Sequence, residues 1–190
     1  MENPPSNSQA LLDPLDQSLF AERYALGPIM AEDEKETIQL IQLSLMSYPD
    51  EGMVLASTRR RLPSFYTSYQ DEGSCYLVLR DRMLGHIAGG VGIRSFAGLD
   101  PREHLGELRE LVITHDYRGL GLGRRILEAG IERAKQLRYE RLYLEATSEM
   151  RHAQSLFRRC GFRPVEFRRK EKELGANEIF PSYFVLESIS

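Results

Sequence analysis

The chain has no tryptophan and only two cysteines in 190 residues. Two thiols, Cys75 and Cys160, cannot make a disulfide framework. They fit a reducing cytosol and read as small apolar residues rather than nucleophiles. No apolar run reaches the length that spans a membrane, and no basic segment followed by an apolar stretch opens the chain as a secretory signal would. Four histidines, at 86, 104, 115 and 152, do not fall at metal-ligand spacing, so no metal site is expected. Charge of one sign is also missing: the net charge is −3, which gives no general attraction to nucleic acid or to an anionic membrane. The expectation is a cytoplasmic protein with no nucleic-acid or membrane partner.

What is present is enough for one domain with a full core. Met1–Gln9, rich in Pro, Ser and Asn, reads as disordered. Leu11–Met30 is broken by Pro14 and Gly27-Pro28 and is ambiguous. The organisation expected is an N-terminal extension over 1–30, partly disordered, and a domain over 31–190. Ile38, Ile41 and Leu45 argue a helix ending before Pro49, and Pro63–Tyr69 a second short one. Cys75–Leu79 and Leu84–Ile93 read as a hairpin, the second strand loaded with Gly85, Gly89, Gly90 and Gly92 as a bulged or closely approached strand would be. Glu107–Ile113 and Leu142–Ala146 read as strands around a helix over 124–138. A short helix through Ala153, Leu156 and Phe157 stops at Gly161. Phe162–Phe167 and Tyr183–Glu187 are the last strands. The fold class is α/β: a mixed parallel and antiparallel central sheet with helices on both faces.

The most informative stretch is Arg118-Gly119-Leu120-Gly121-Leu122-Gly123-Arg124. Alternating glycines let a backbone turn tightly and aim its N–H groups at one spot, here the start of a helix, where an anion is favoured. Spacing narrows the anion. A P-loop needs Lys and then Ser or Thr after its last Gly, and Arg124-Arg125 follow instead. The dinucleotide fingerprint needs Gly at positions one, three and six. From Gly119 the sixth is Arg124; from Gly121 it is Ile126.

With its flanks, Leu108–Ile113 before and the Arg-Gly loop after, this segment resembles the acyl-CoA-binding motif of the GNAT superfamily of N-acetyltransferases. Arg118, Gly121 and Gly123 match the loop pattern Arg/Gln-x-x-Gly-x-Gly/Ala. A second block, Arg141–Ala146 and then Ala153-x-x-Leu156-Phe157 to Gly161-Phe162, follows in the family's order. The resemblance implies acetyl-CoA as cofactor, with Arg118, Gly119, Leu120, Gly121, Leu122, Gly123 and Arg124 around its pyrophosphate. It implies that the pantetheine arm pairs with the backbone of Leu111, Val112 and Ile113. It also implies an amine acceptor, a primary amine of a small molecule first and a peptide or protein amine second. The chain is then a monomer or a homodimer. A non-catalytic acyl-CoA sensor is the rival class.

The chemistry needs a neutral amine. An alkylamine titrates near pH 10, so its free base at pH 7 costs roughly 4–5 kcal/mol. A nearby carboxylate attracts the amine and takes its proton. Glu107 and Glu110 are the candidates. Regular strand alternation sets Glu107 on one side with Leu111 and Ile113, and Glu110 on the other. Glu107 also matches the base position of some family members, which favours it; Glu110 is the second candidate. Two residues depart from the family pattern. Phe157 stands where many members have the Tyr that protonates the leaving thiolate, and Met150 where an Asn is common. Tyr183 is a conceivable substitute acid, though a half-buried strand aromatic is the plainer reading. Arg158, Arg159, Arg163, Arg168, Arg169, Lys170 and Lys172 are interrupted by Glu166, Glu171 and Glu173, and no aromatic platform accompanies them.

Overall fold

A computed structural model describes residues 14–46, 58, 62–96, 99–147, 149–165 and 182–189. The elements in chain order are α1 (Pro14–Arg23), β1 (Tyr24–Pro28), α2 (Glu34–Met46), α3 (Phe65–Ser68), β2 (Cys75–Asp81), β3 (Ile87–Ser95), β4 (Leu105–Ile113), α4 (Leu122–Gln136), β5 (Arg141–Ala146), α5 (Arg151–Arg159), β6 (Arg163–Val165) and β7 (Ser182–Leu186). One seven-stranded sheet runs in the order β1-β2-β3-β4-β5-β7-β6. Only β4 and β5 are parallel; every other pair is antiparallel. The parallel pair needs a crossover, and α4 supplies it.

Two apolar cores cover the two faces. On one, α4 and α5 pack through Ile126, Leu127, Ala134 and Phe157 against Val91, Leu108 and Leu144. On the other, α2 and α3 bring Leu40, Ile41 and Phe65 onto Tyr76, Val78 and Val112. The mixed sheet with helices on both faces is the architecture the sequence predicts.

Several boundaries move for local reasons. β1 lies inside the segment assigned to an N-terminal extension, so the sheet begins ahead of residue 31. Gly27-Pro28 masked it; a Pro is tolerated there because β1 is an edge strand. β3 starts at Ile87 rather than Leu84, because Gly85 turns the hairpin with φ +71°. α4 starts two residues earlier than expected, capped by Gly121 in the left-handed region. The readings for residues 1–13 and for the basic stretch beyond Val165 lie outside the described residues.

Candidate functional site

β4 is where the sheet opens. It pairs with β5 only from Leu105 to Leu108, opposite Arg141 to Leu144. Among the described strands, β5 continues beyond that point with β7 alone, and the end of β4 from Arg109 to Ile113 keeps only β3 as a neighbour. A strand edge with backbone donors and acceptors to spare accepts another extended chain.

The opening coincides with a bulge. The β3–β4 register passes from Gly92↔Arg109 to Gly90↔Val112, two β4 residues against one of β3. Glu110 carries the irregularity at φ +44°. The inserted residue reverses the alternation. Leu108, Leu111 and Ile113 all belong with the α4 core, whereas Val112 belongs with the α2 core. Arg109 lies opposite Gly92, whose open face meets Tyr69, so Glu107, Arg109, Glu110 and Val112 share the α2 side. The regular-strand expectation is therefore corrected: Glu107 does not share a face with Leu111 and Ile113, and Glu110 is not on the opposite face from Glu107.

The two carboxylates differ in company. Glu107 is buried, and its Oε2 accepts a hydrogen bond from Arg109 Nη2 at 2.5 Å. Arg109 Nε is buried and finds no hydrogen-bond partner among the described residues. Burial works against the Arg109 charge, but Glu107, with Glu110 and Tyr69 behind it, holds its pKa above the ordinary value. Glu110 is half-buried, and its carboxylate accepts from the hydroxyl of Tyr69. Its carbonyl oxygen accepts from the hydroxyl of Tyr76 at 3.1 Å. Arg94 lies over the Tyr69 ring, 5.8 Å from its centroid, and pairs with Asp71 at 3.3 Å.

The glycine loop sits at the exit of the opening, at the start of α4 and on the other face. Gly119 and Gly121 have φ of +79° and +75°, and a Cβ at either would meet open space. The N–H groups of Arg124 and Arg125 bond back to the Gly121 carbonyl. Those of Gly121, Leu122 and Gly123 precede the first helical bond and are the orphan donors of a helix start. The side chains around the loop have other duties. Leu122 is core, and Leu120 is exposed. Arg124 pairs with Glu128 at 2.7 Å, and Arg118 Nε leans on the Ile113 carbonyl at 3.4 Å.

The loop is tied down from behind. Asp81 is buried and accepts from Tyr117 at 3.1 Å, from the N–H groups of Met83 and Leu84, and from Arg23 at 3.2 Å. Arg125, in the first turn of α4, lies over Phe20 of α1 at 4.2 Å. Both α1 and the residue ahead of Arg118 thus anchor the loop.

Phe157 is buried, its ring 6.2 Å from Phe162 and 5.9 Å from Phe184. Met150 caps α5 and packs on the same core. Tyr183 is half-buried on β7, opposite Glu145 and Val165. Sequence reasoning placed Tyr69 on the segment Pro63–Tyr69, an expected wall of the acceptor site, without its link to Glu110, and missed Tyr76, Arg109 and the Asp81 hub. Its one pointer to the tyrosines was the bare run of glycines on β3. A Cβ at Gly90 would lie 2.5 Å from the Tyr76 ring, and one at Gly92 would overlap the Tyr69 hydroxyl. Among the described residues no three metal-ligating side chains gather, and no helix is long and apolar enough to cross a membrane.

Known proteins share this frame. The model of a family described as the acetyltransferase (GNAT) family matches residues 19–162. An uncharacterised N-acetyltransferase of Escherichia coli, YjgM, is 27% identical over 118 residues, covering 62% of this chain and 67% of its own. The structure of yncA from Salmonella typhimurium, solved with its cofactor acetyl-CoA, superposes with a TM-score of 0.68 at 16% identity, over 86% of this chain and 93% of that one. The ribosomal-protein-S18-alanine N-acetyltransferase of Escherichia coli gives 0.63 at 18% identity, over 87% and 94%. At such identities the structural likeness is one of fold.

Proposed function

The chain belongs to the acetyltransferase (GNAT) family, and from that premise we propose that it transfers an acetyl group from acetyl-CoA to a primary amine by direct attack in a ternary complex. The observation that carries the reading is the division of labour across β4. The glycine loop and the backbone of Leu111, Val112 and Ile113 face the opening beside α4. The carboxylates of Glu107 and Glu110 face the α2 side. Cofactor and acceptor approach the same point from opposite faces.

Bound there, acetyl-CoA supplies an activated thioester. The orphan N–H groups of Gly121, Leu122 and Gly123 hold its pyrophosphate, with Gly119 and Leu120 shaping the turn and Arg118 and Arg124 adding charge at the rim. The unpaired edge of β4 aligns its amide-bearing arm. Glu110 accepts the amine proton: it stands at the bulge where β4 parts from β5, and its carboxylate accepts a hydrogen bond from the Tyr69 hydroxyl. Glu107 matches the family's base position but is engaged by Arg109; it keeps that guanidinium in place. A CoA thiolate lies only about 2 kcal/mol above its thiol at pH 7, so solvent suffices to protonate it.

A small-molecule amine remains the first reading for the acceptor and a peptide or protein amine the second. The test is release of free CoA thiol from acetyl-CoA in the presence of a panel of small amines, with peptides bearing free N-termini in a parallel arm. Amine-dependent thiol release supports the enzyme. Tight CoA binding with no thiol release across both arms supports the sensor instead.

A further inference from the structure

The α2 face of β4 holds an arrangement that the acetyl-transfer reading alone does not require. Phe65, Tyr69 and Tyr76 form a cluster of three rings, each pair edge-to-face at centroid distances of 4.9–5.2 Å. Tyr69 and Tyr76 are buried, and both hydroxyls end on one residue, Glu110. One donates to its carboxylate and the other to its carbonyl oxygen. The space for this comes from β3. Gly90 and Gly92 expose bare backbone where the two tyrosine rings sit, and any Cβ there would collide with them.

We propose that Tyr69 and Tyr76 are positioning residues that clamp the β4 bulge, Tyr76 fixing its backbone and Tyr69 fixing the orientation of the Glu110 carboxylate. The proposal rests on the assignment of Glu110 as the proton acceptor. A bulge residue at positive φ is strained for any side chain but Gly, and two buried phenols donating to it offset that strain. Burial pushes the Tyr69 phenol well above its ordinary range, and the Glu110 charge adds to the push. Tyr69 therefore stays a donor across the working pH range. Among the described residues the other charged groups on this face include Arg109 and Glu107 on β4 itself, Arg94 on β3, whose guanidinium lies against Tyr69, the Arg80–Asp33 pair, and Glu34 of α2, which accepts from the Tyr66 N–H. From α2, Leu40 and Ile41 join the same apolar cluster.

The experiment is kcat and the acceptor KM, with acetyl-CoA saturating, for Tyr69→Phe, Tyr76→Phe, Gly92→Ala and Glu110→Gln, alongside CoA affinity by calorimetry. Tyr69→Phe should lower kcat by about tenfold or more, the size of a lost hydrogen bond to a charged group, with acceptor KM and CoA affinity kept within about twofold. Gly92→Ala should give the same loss of kcat, because its methyl group evicts the Tyr69 hydroxyl. Tyr76→Phe should lower kcat with the same KM and CoA affinity. A Tyr69→Phe kcat equal to the wild type, with Glu110→Gln inactive, overturns the clamp and leaves the base in place. A Glu110→Gln protein of near wild-type activity overturns the base assignment and the clamp with it.

Discussion

Phe157 departs from the family pattern that the sequence resembles, and its surroundings decide what that means. The ring is packed between Phe162 and Phe184, so its work is cohesion of the α5 core. Phe157→Leu should cost stability of about 1–2 kcal/mol, as a smaller side chain leaves part of the site unfilled. Turnover at saturating acetyl-CoA should stay within about tenfold, because an acid is helpful rather than obligatory for a thiolate leaving group. Thermal melts and kcat on one preparation check both halves. A loss of roughly a thousandfold in kcat in a folded protein would mean that position 157 takes part in the chemistry. At Asp81 the sign of the pH dependence is fixed by its partners. Burial raises its carboxyl, but the N–H groups of Met83 and Leu84, the Tyr117 hydroxyl and Arg23 outweigh it, and its pKa ends below the ordinary value. A depressed carboxyl stabilises the fold above about pH 4, where the unfolded group is ionised, and stops doing so as pH falls through the folded value. Wild-type and Asp81→Asn melting temperatures should differ by a constant amount at neutral pH and converge in acid. A gap that widens on acidification contradicts this.

At the scale of the element, the glycine loop and β4 show what a sequence can and cannot disclose. The loop's conformation was legible because it is local: alternating glycines before an amphipathic helix give the tight turn and the orphan donors of the helix start together. Gly121→Val tests the loop as a cradle for CoA. At φ +75° a β-branched residue is strained by roughly 1–2 kcal/mol, and its side chain projects into the space left open for the ligand. CoA affinity should fall more than about tenfold in a protein that still folds, and unchanged affinity by calorimetry would refute the cradle. The bulge was not legible. Glu110 and Leu111 look like any two strand residues, and alternation is the right default for both. What displaces them is tertiary: buried tyrosines, one just after α3 and one on β2, that reach one residue of β4 through gaps left by Gly90 and Gly92. The same holds for β1, whose Gly27-Pro28 obeys edge-strand rules only once β2 lies beside it. Strands flanked by turn residues could be read from period and punctuation; a one-residue slip in register could not, and it inverts the face of everything that follows.

Across the whole molecule, β4 acts as a partition. Behind it, α1, Asp81 and Tyr117 hold the glycine loop against the sheet. In front, the tyrosine cluster and the Arg109–Glu107 pair line the α2 side. The opening between β4 and β5 is the place where the two halves meet. If that partition is right, the proton acceptor can be removed without disturbing the grip on the cofactor. The most direct measurement is kcat/KM for the acceptor in Glu110→Gln and Glu107→Gln, with CoA affinity determined on the same proteins. The account predicts a loss of roughly 10²–10⁴ for Glu110→Gln, the range of a general base, with CoA affinity unchanged and a smaller loss for Glu107→Gln. A large loss confined to Glu107→Gln, or CoA affinity falling in step with activity in Glu110→Gln, would contradict it.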